Sequence, residues 1–174
     1  MLPSSTSSQP FRAGRRSDEF VYVSELIDYV SANRPDWSAV VADKFGVKDI
    51  RNINGVPHVV VKKAVPISVL PAGQAYALIL SLALGAGRYV FIDGIEHNMH
   101  PALLDAVVDM VAYAVDMGAK VAVVTNSIEA LDKLSAIAGR GHVVRMKDCK
   151  IHDVIPMEDV RHRIDELYED LRLY

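Results

Sequence analysis

The sequence predicts the α/β class, in a three-layer arrangement with a mostly parallel sheet flanked by helices and a small helix-plus-hairpin segment in front. Three observations predict it. Arg88–Asp93 and Ala119–Thr125 are apolar, β-branched runs without polar alternation, as strands covered on both faces require. Segments of helical period and length, around 73–86, 101–117 and 128–138, alternate with these runs. Such alternation implies parallel strands joined by right-handed crossovers. Ahead of them, Asn54-Gly55 separates two apolar runs, and both positions tolerate the positive φ that a tight hairpin turn demands.

In chain order, residues 1–17 are Ser-rich, basic and free of acid, without the continuous apolar stretch of a secretory signal, and read as a flexible tail. Residues 18–174 read as one α/β domain, with 18–65 as the helix/hairpin layer and 66–174 as the core. Ser17 is placed to cap a helix whose first turn carries Asp18 and Glu19, and Val23, Leu26, Ile27 and Val30 then recur at helical spacing. Pro35 starts a second short helix with Trp37, Val40 and Val41 on it, which Gly46 stops. Beyond the alternating core, His142–Met146 and Lys150–Ile155 suggest a terminal strand pair around Lys147-Asp148, and Pro156 opens a final charged helix through Leu171.

Composition excludes several classes. The chain has 174 residues, 51% of them hydrophobic and 24% charged, which suits one globular domain with a substantial core. A net charge of −3 gives no general affinity for nucleic acid or acidic lipid. The longest low-charge apolar run, Val69–Gly87, is broken by Pro71, Gly73 and Gln74 and reads as a buried helix rather than a membrane span. A single cysteine, Cys149, excludes an internal disulfide framework and suits a reducing cytoplasm.

Three stretches carry a resemblance: Leu70–Leu84 with its Leu-Pro-Ala-Gly-Gln start, Tyr89–Pro101 beginning Tyr-Val-Phe-Ile-Asp, and Val123–Leu131 around Thr125-Asn126-Ser127. In that order and spacing they resemble the C-terminal half of an ABC-type ATPase domain, in the branch with RecF-like, SMC-like and overcoming-lysogenization-defect proteins. The resemblance covers roughly residues 56–172, and Glu169–Arg172 resembles how many small proteins of that branch end. It implies a partial P-loop NTPase-like fold. It also implies that Gly73 and Gln74 match the signature loop that holds the γ-phosphate of ATP bound to an opposing subunit, that Asp93 matches the Walker B aspartate of the Mg²⁺ shell, and that Asn126 stands at the switch histidine.

Several chemical groups of that family are missing. Pro71 replaces the signature hydroxyl and removes a backbone donor, while Ala72 adds a methyl where glycine allows close approach. Gly94 stands where the resemblance places the catalytic glutamate, and Glu96 comes two residues too late to inherit that role automatically. Asn126 carries no charge near neutral pH. No glycine is directly followed by lysine, so the Gly-Lys-Ser/Thr core of a P-loop cannot form anywhere in the chain. Each remaining match also has a plain structural reading. Gly73 suits a helix start, Asp93 a cap or loop ligand, and Asn126 or Ser127 a cap before Ile128.

Asp93, Glu96, His97 and His100 also put four metal-ligating types within eight residues, with Glu96 and His100 on one face if the stretch is helical. Pro101 and the family's own His-Pro favour a loop there instead. Cys149 lies in a plausible Asp148-Cys149-Lys150 turn, without a base that the sequence identifies.

The sequence therefore points to a degenerate ABC-ATPase-like module, non-hydrolysing and acting through association with a protein partner or with itself as a homodimer. The alternative is a nucleotide-binding half that completes an active site with a P-loop supplied by another chain. In that alternative ATP and Mg²⁺ bind only with the partner, and Asp93 and Glu96 are the catalytic candidates. Metal-dependent, nuclease-like chemistry at Asp93, Glu96, His97 and His100 is a third possibility.

Overall fold

The computed structural model describes residues 16–137, 141–165 and 167–168. The expected tail as far as residue 15, and Glu169–Arg172 at the other end, lie outside them.

Two helices open the chain, α1 (Arg16–Asn33) and α2 (Pro35–Lys44). Pro35 stands at the first helical position, where its missing N–H costs nothing, and Gly46 follows the end with φ of 65°. A three-stranded antiparallel sheet comes next, with β1 (Asp49–Ile53), β2 (Val56–Val60) and β3 (Ala64–Pro66) in that order. Asn54 and Gly55 form the β1–β2 turn with φ of 52° and 79°, the geometry that this residue pair favours. The Ser24 hydroxyl donates to the Gly55 carbonyl at 2.8 Å and ties α1 to the turn. The third strand extends the hairpin that the sequence predicts.

Helix α3 (Ala72–Ala86) then runs through the core, followed by β4 (Tyr89–Asp93), α4 (Pro101–Asp116), β5 (Lys120–Val124) and α5 (Ile128–Ile137). β4 and β5 pair in parallel, Tyr89 with Lys120 through Asp93 with Val124, and α4 is their crossover. The expected mostly parallel sheet is thus reduced, among the described residues, to this one parallel pair. The other two sheets are antiparallel, because their strands are joined by turns or short connections that cannot carry a parallel crossover.

The expectation that these strands are covered on both faces is met on one face only. Ile92 is buried and Val90, Val121 and Val123 pack against the main core, whereas Tyr89, Phe91, Asp93, Lys120, Ala122 and Val124 are exposed.

Trp37 joins three helices in that core. Its indole lies against Gly85 of α3, donates from Nε1 to the Ser81 carbonyl at 2.9 Å, and stacks on Tyr113 of α4 with centroids 5.2 Å apart. The Arg34 guanidinium lies 5.9 Å from the ring centroid.

The C-terminal strands β6 (His142–Lys147) and β7 (Lys150–Pro156) form an antiparallel ribbon that turns at Asp148 and Cys149, one residue later than expected. Both turn residues have positive φ, 50° and 57°. The expected charged helix after Pro156 begins as a 3-10 helix over Met157–Arg163 and is α-helical at Ile164, Asp165, Leu167 and Tyr168. A second, smaller core of Ile155, Val160 and Leu167 packs with Ile128 and Leu131 of α5. Arg163 and Arg145 flank Asp153 at 3.0 and 3.6 Å, and the Arg163 hydrogen bond holds its carboxyl below the usual range. The outer side of the ribbon is apolar and exposed at Val144, Met146, Ile151 and Val154.

Gly85 carries a prediction. A Cβ there falls 2.3 Å from Trp37 Cδ1. Gly85→Ala gains about 1 kcal/mol of helix propensity, while overpacking against a held ring costs about 1–3 kcal/mol. Loss of the indole hydrogen bond adds about 1 kcal/mol. We expect net destabilisation of about 1–3 kcal/mol in urea unfolding, with an altered Trp37 fluorescence maximum.

Candidate functional site

The residues singled out in the sequence gather at the carboxyl end of β4 and β5, where ligands of α/β sheets commonly bind. Asp93 ends β4 and is exposed. The ladder continues one step beyond it, as the Gly94 N–H donates to the Val124 carbonyl at 2.8 Å. The chain then turns back tightly. His97 N–H donates to the Gly94 carbonyl at 3.0 Å, and Met99 N–H to the Glu96 carbonyl at 3.2 Å.

Gly94 adopts φ of 66°, and a Cβ there would fall 2.0–2.6 Å from three atoms of the His97 ring. The imidazole therefore fills the space where a side chain at 94 would begin. The left-handed backbone favours glycine at this position, and a side chain there would have to displace the exposed His97 ring.

Glu96 turns toward the neighbouring strand end. The Thr125 hydroxyl donates to Glu96 Oε2 at 2.6 Å, and the Asn126 N–H to Oε1 at 3.3 Å. Thr125 Oγ1 in turn accepts from Ser127 N–H at 3.0 Å. Ser127, not Asn126, caps α5, with its hydroxyl accepting from Ala130 N–H at 3.2 Å. The Asn126 side chain is exposed.

Gly73 is buried at the start of α3, and a Cβ there would fall 2.1 Å from the Asn98 carbonyl oxygen. The glycine is needed so that the loop from β4 can lie on the helix start, and that loop occupies the approach to Gly73. Gln74, on the next position, is exposed. Pro71 precedes the helix and gives it no side-chain cap.

Tyr76 belongs to the cluster, although the sequence did not mark it. Burial raises its phenol above the ordinary tyrosine range, and the carboxylates of Asp93 and Glu96 raise it further. Its signal was a lone polar ring, three residues after Gly73, in an otherwise aliphatic helix. The four metal-ligating types do not converge. His97 lies on Gly94, Glu96 bonds Thr125, and His100 caps α4 by accepting from Ala102 N–H at 3.3 Å. Among the described residues no group of three or more His, Cys, Asp or Glu is placed to hold a metal ion.

A cavity of about 390 Å³ lies at the far end of β4, lined by Arg34, Trp37, Arg88 and Met117 among others, and contains none of these residues. No helix among the described residues is long and apolar enough to cross a membrane.

No protein-family model matches the chain, and no curated protein matches it. Among solved structures, a chain from work on ATP-driven dimerization and DNA-stimulated activation of SMC ATPases is similar, with a TM-score of 0.56 and 16% sequence identity. The likeness covers 86% of this chain and 97% of that one. The chain thus has an SMC-ATPase-like, ABC-type fold, as the three stretches of sequence imply.

Two predictions follow from this geometry. Gly94→Glu does not create a water-activating carboxylate but destabilises the chain. The left-handed backbone costs a non-glycine residue about 1–2 kcal/mol, and displacing His97 adds to it. Gly94→Glu with His97→Ala recovers part of that loss in thermal unfolding. In a tyrosinate titration by ultraviolet absorbance, Tyr76→Phe removes a late-titrating phenol, and Asp93→Asn lowers that phenol's midpoint. The neutral phenol's contribution to stability is full below the ordinary tyrosine range and is lost as pH rises through the raised folded value.

Proposed function

We propose that this chain is a degenerate ABC-ATPase-like module that does not hydrolyse ATP by itself and acts by associating with a protein partner or with a second copy. The observation that carries this reading is Gly94, which turns with positive φ at the position where the resemblance places the catalytic glutamate, so that no carboxylate stands there. Burial of Gly73 under Asn98 supports it, because the backbone groups of a signature-like loop are useful only if phosphate can reach them. The sequence adds that no P-loop lysine can follow a glycine anywhere in the chain. A reducing cytoplasm is the compartment we assign, since the free Cys149 thiol is exposed.

One observation favours a second reading. Asp93 stays exposed at the strand end, beside a Glu96 carboxylate already fixed by Thr125 and Asn126. In this reading a partner chain supplies the P-loop and its lysine, ATP and Mg²⁺ bind only in the complex, and Asp93 provides one oxygen to the metal shell. Gln74 and Asn126, both exposed, would line the nucleotide side.

Calorimetric titration separates the two. Mg-ATP added to the purified chain should give no binding heat, and micromolar binding by the chain alone would overturn the first reading. Mixed with a P-loop ATPase that it binds, the chain should raise hydrolysis only under the second reading. Asp93→Asn should then remove the gain while leaving the complex intact.

A further inference from the structure

The outer face of the β4–β5 pair is bare. Tyr89 lies beside Lys120, Phe91 beside Ala122 and Asp93 beside Val124. Phe91 is 83% exposed, Tyr89 66% and Val124 61%. Parallel strands occur almost only where both faces are covered, and exposed apolar strips of this kind mark interaction surfaces. With aromatic side chains of about 200 Å² each, Phe91 and Tyr89 together offer about 300 Å². Ala122 and Val124 bring the patch to about 400 Å², as large as the largest apolar patch of a typical monomer.

We propose that a second copy of this chain covers this face, about a two-fold axis lying between the two sheets and running across their strands. The proposal rests on the reading of the chain as an association module and names the surface and the occupant. The opposite charges at the two ends of the strip, Lys120 and Asp93, select a second copy. The central row, Phe91 and Ala122, is the midpoint of both five-residue strands, so an axis through it sets Phe91 against its own counterpart. The same axis reverses strand direction, so the Tyr89–Lys120 row of one copy lies over the Asp93–Val124 row of the other. The strip is basic at one end and acidic at the other, the rows lying about 13 Å apart along the strands. That axis sets Tyr89 over the other copy's Asp93 and Lys120 over its Val124. Each Lys120 ammonium, 5.7 Å from its own Tyr89 ring centroid, therefore reaches the other copy's Asp93 diagonally, one strand over, and this happens twice by symmetry. Sheets stack about 10 Å apart, which a lysine side chain can bridge.

The area sets the strength. A stable interface buries about 800 Å² on each partner, and the patch supplies about half of that. The dimer therefore belongs to the small, transient class of interfaces, and it loosens with salt because it draws on two charge pairs.

Sedimentation velocity on the full chain, over a micromolar concentration series at low and high salt, tests the proposal. The wild type should shift from monomer to dimer with concentration and back with salt. Phe91→Asp should be monomeric throughout, with an unchanged circular dichroism spectrum because the position is exposed. Asp93→Lys and Lys120→Glu should each weaken the dimer at least tenfold, and the double variant should restore it. Ile151→Asp, on the outer side of the C-terminal ribbon, should leave the dimer unchanged.

A wild type that stays monomeric, a dimer indifferent to Phe91→Asp, or one lost with Ile151→Asp would overturn the pairing. So would a chain that stays monomeric but binds a different protein through Phe91. That last result would leave the association-module reading standing, and nucleotide calorimetry tests that reading separately.

Discussion

The loop from Gly94 to His100 is held from two sides, and the arrangement of the candidate site follows from that constraint. On one side it lies on the start of α3, where only a glycine at 73 leaves room for the Asn98 carbonyl. On the other, Glu96 accepts from Thr125 and Asn126 at the end of β5. Between these anchors Gly94 turns through a left-handed conformation with the His97 ring packed on it. A side chain larger than hydrogen at 73 or 94 disturbs the same loop, so these two glycines and His97 form one packing unit. Asp93, just before the turn, is left exposed at the strand end.

Much of this architecture is legible in the sequence because it depends on local rules. Asn54-Gly55 specifies its turn through two positive φ angles, Pro35 and Gly46 bracket α2, and a cap before Ile128 is expected from Asn126 or Ser127, the structure using Ser127. The order of motifs gives the fold at 16% identity to a solved chain, because strand–helix alternation survives changes in individual residues. What the sequence hides is contact at a distance. Nothing in the neighbours of Gly73 says that Asn98 lies on it. Burial of Tyr76 beside Asp93 and Glu96 depends on how α3 meets the strand ends. The bare outer face of β4 and β5 is hidden for another reason. An apolar strand without polar alternation reads the same whether its second face is covered by its own chain or left for another.

The parallel pair is also the least complete part of the molecule. The main core draws on α1 to α5 and on the inner faces of the first two sheets, with Trp37 joining α2, α3 and α4. The smaller core under the C-terminal ribbon holds α5 against the 3-10 helix. Both cores leave apolar residues outside, Phe91 and Val124 on one sheet, Met146 and Ile151 on the other. These uncovered apolar strands support our proposal that the chain acts by meeting another surface. In that proposal the exposed Asp93 carboxylate lies at one end of the docking surface.

Amide hydrogen exchange across residues 72–76, 94–100 and 125–127, with and without Mg-ATP, tests the central claim most directly. The loop amides of His97 and Met99 should exchange slowly through their hydrogen bonds to Gly94 and Glu96. If the locked loop occupies the former catalytic site, nucleotide should change none of these segments in the isolated chain. New protection of the Ala72, Gly73 and Gln74 amides on adding Mg-ATP would show phosphate reaching the start of α3, and would contradict the account.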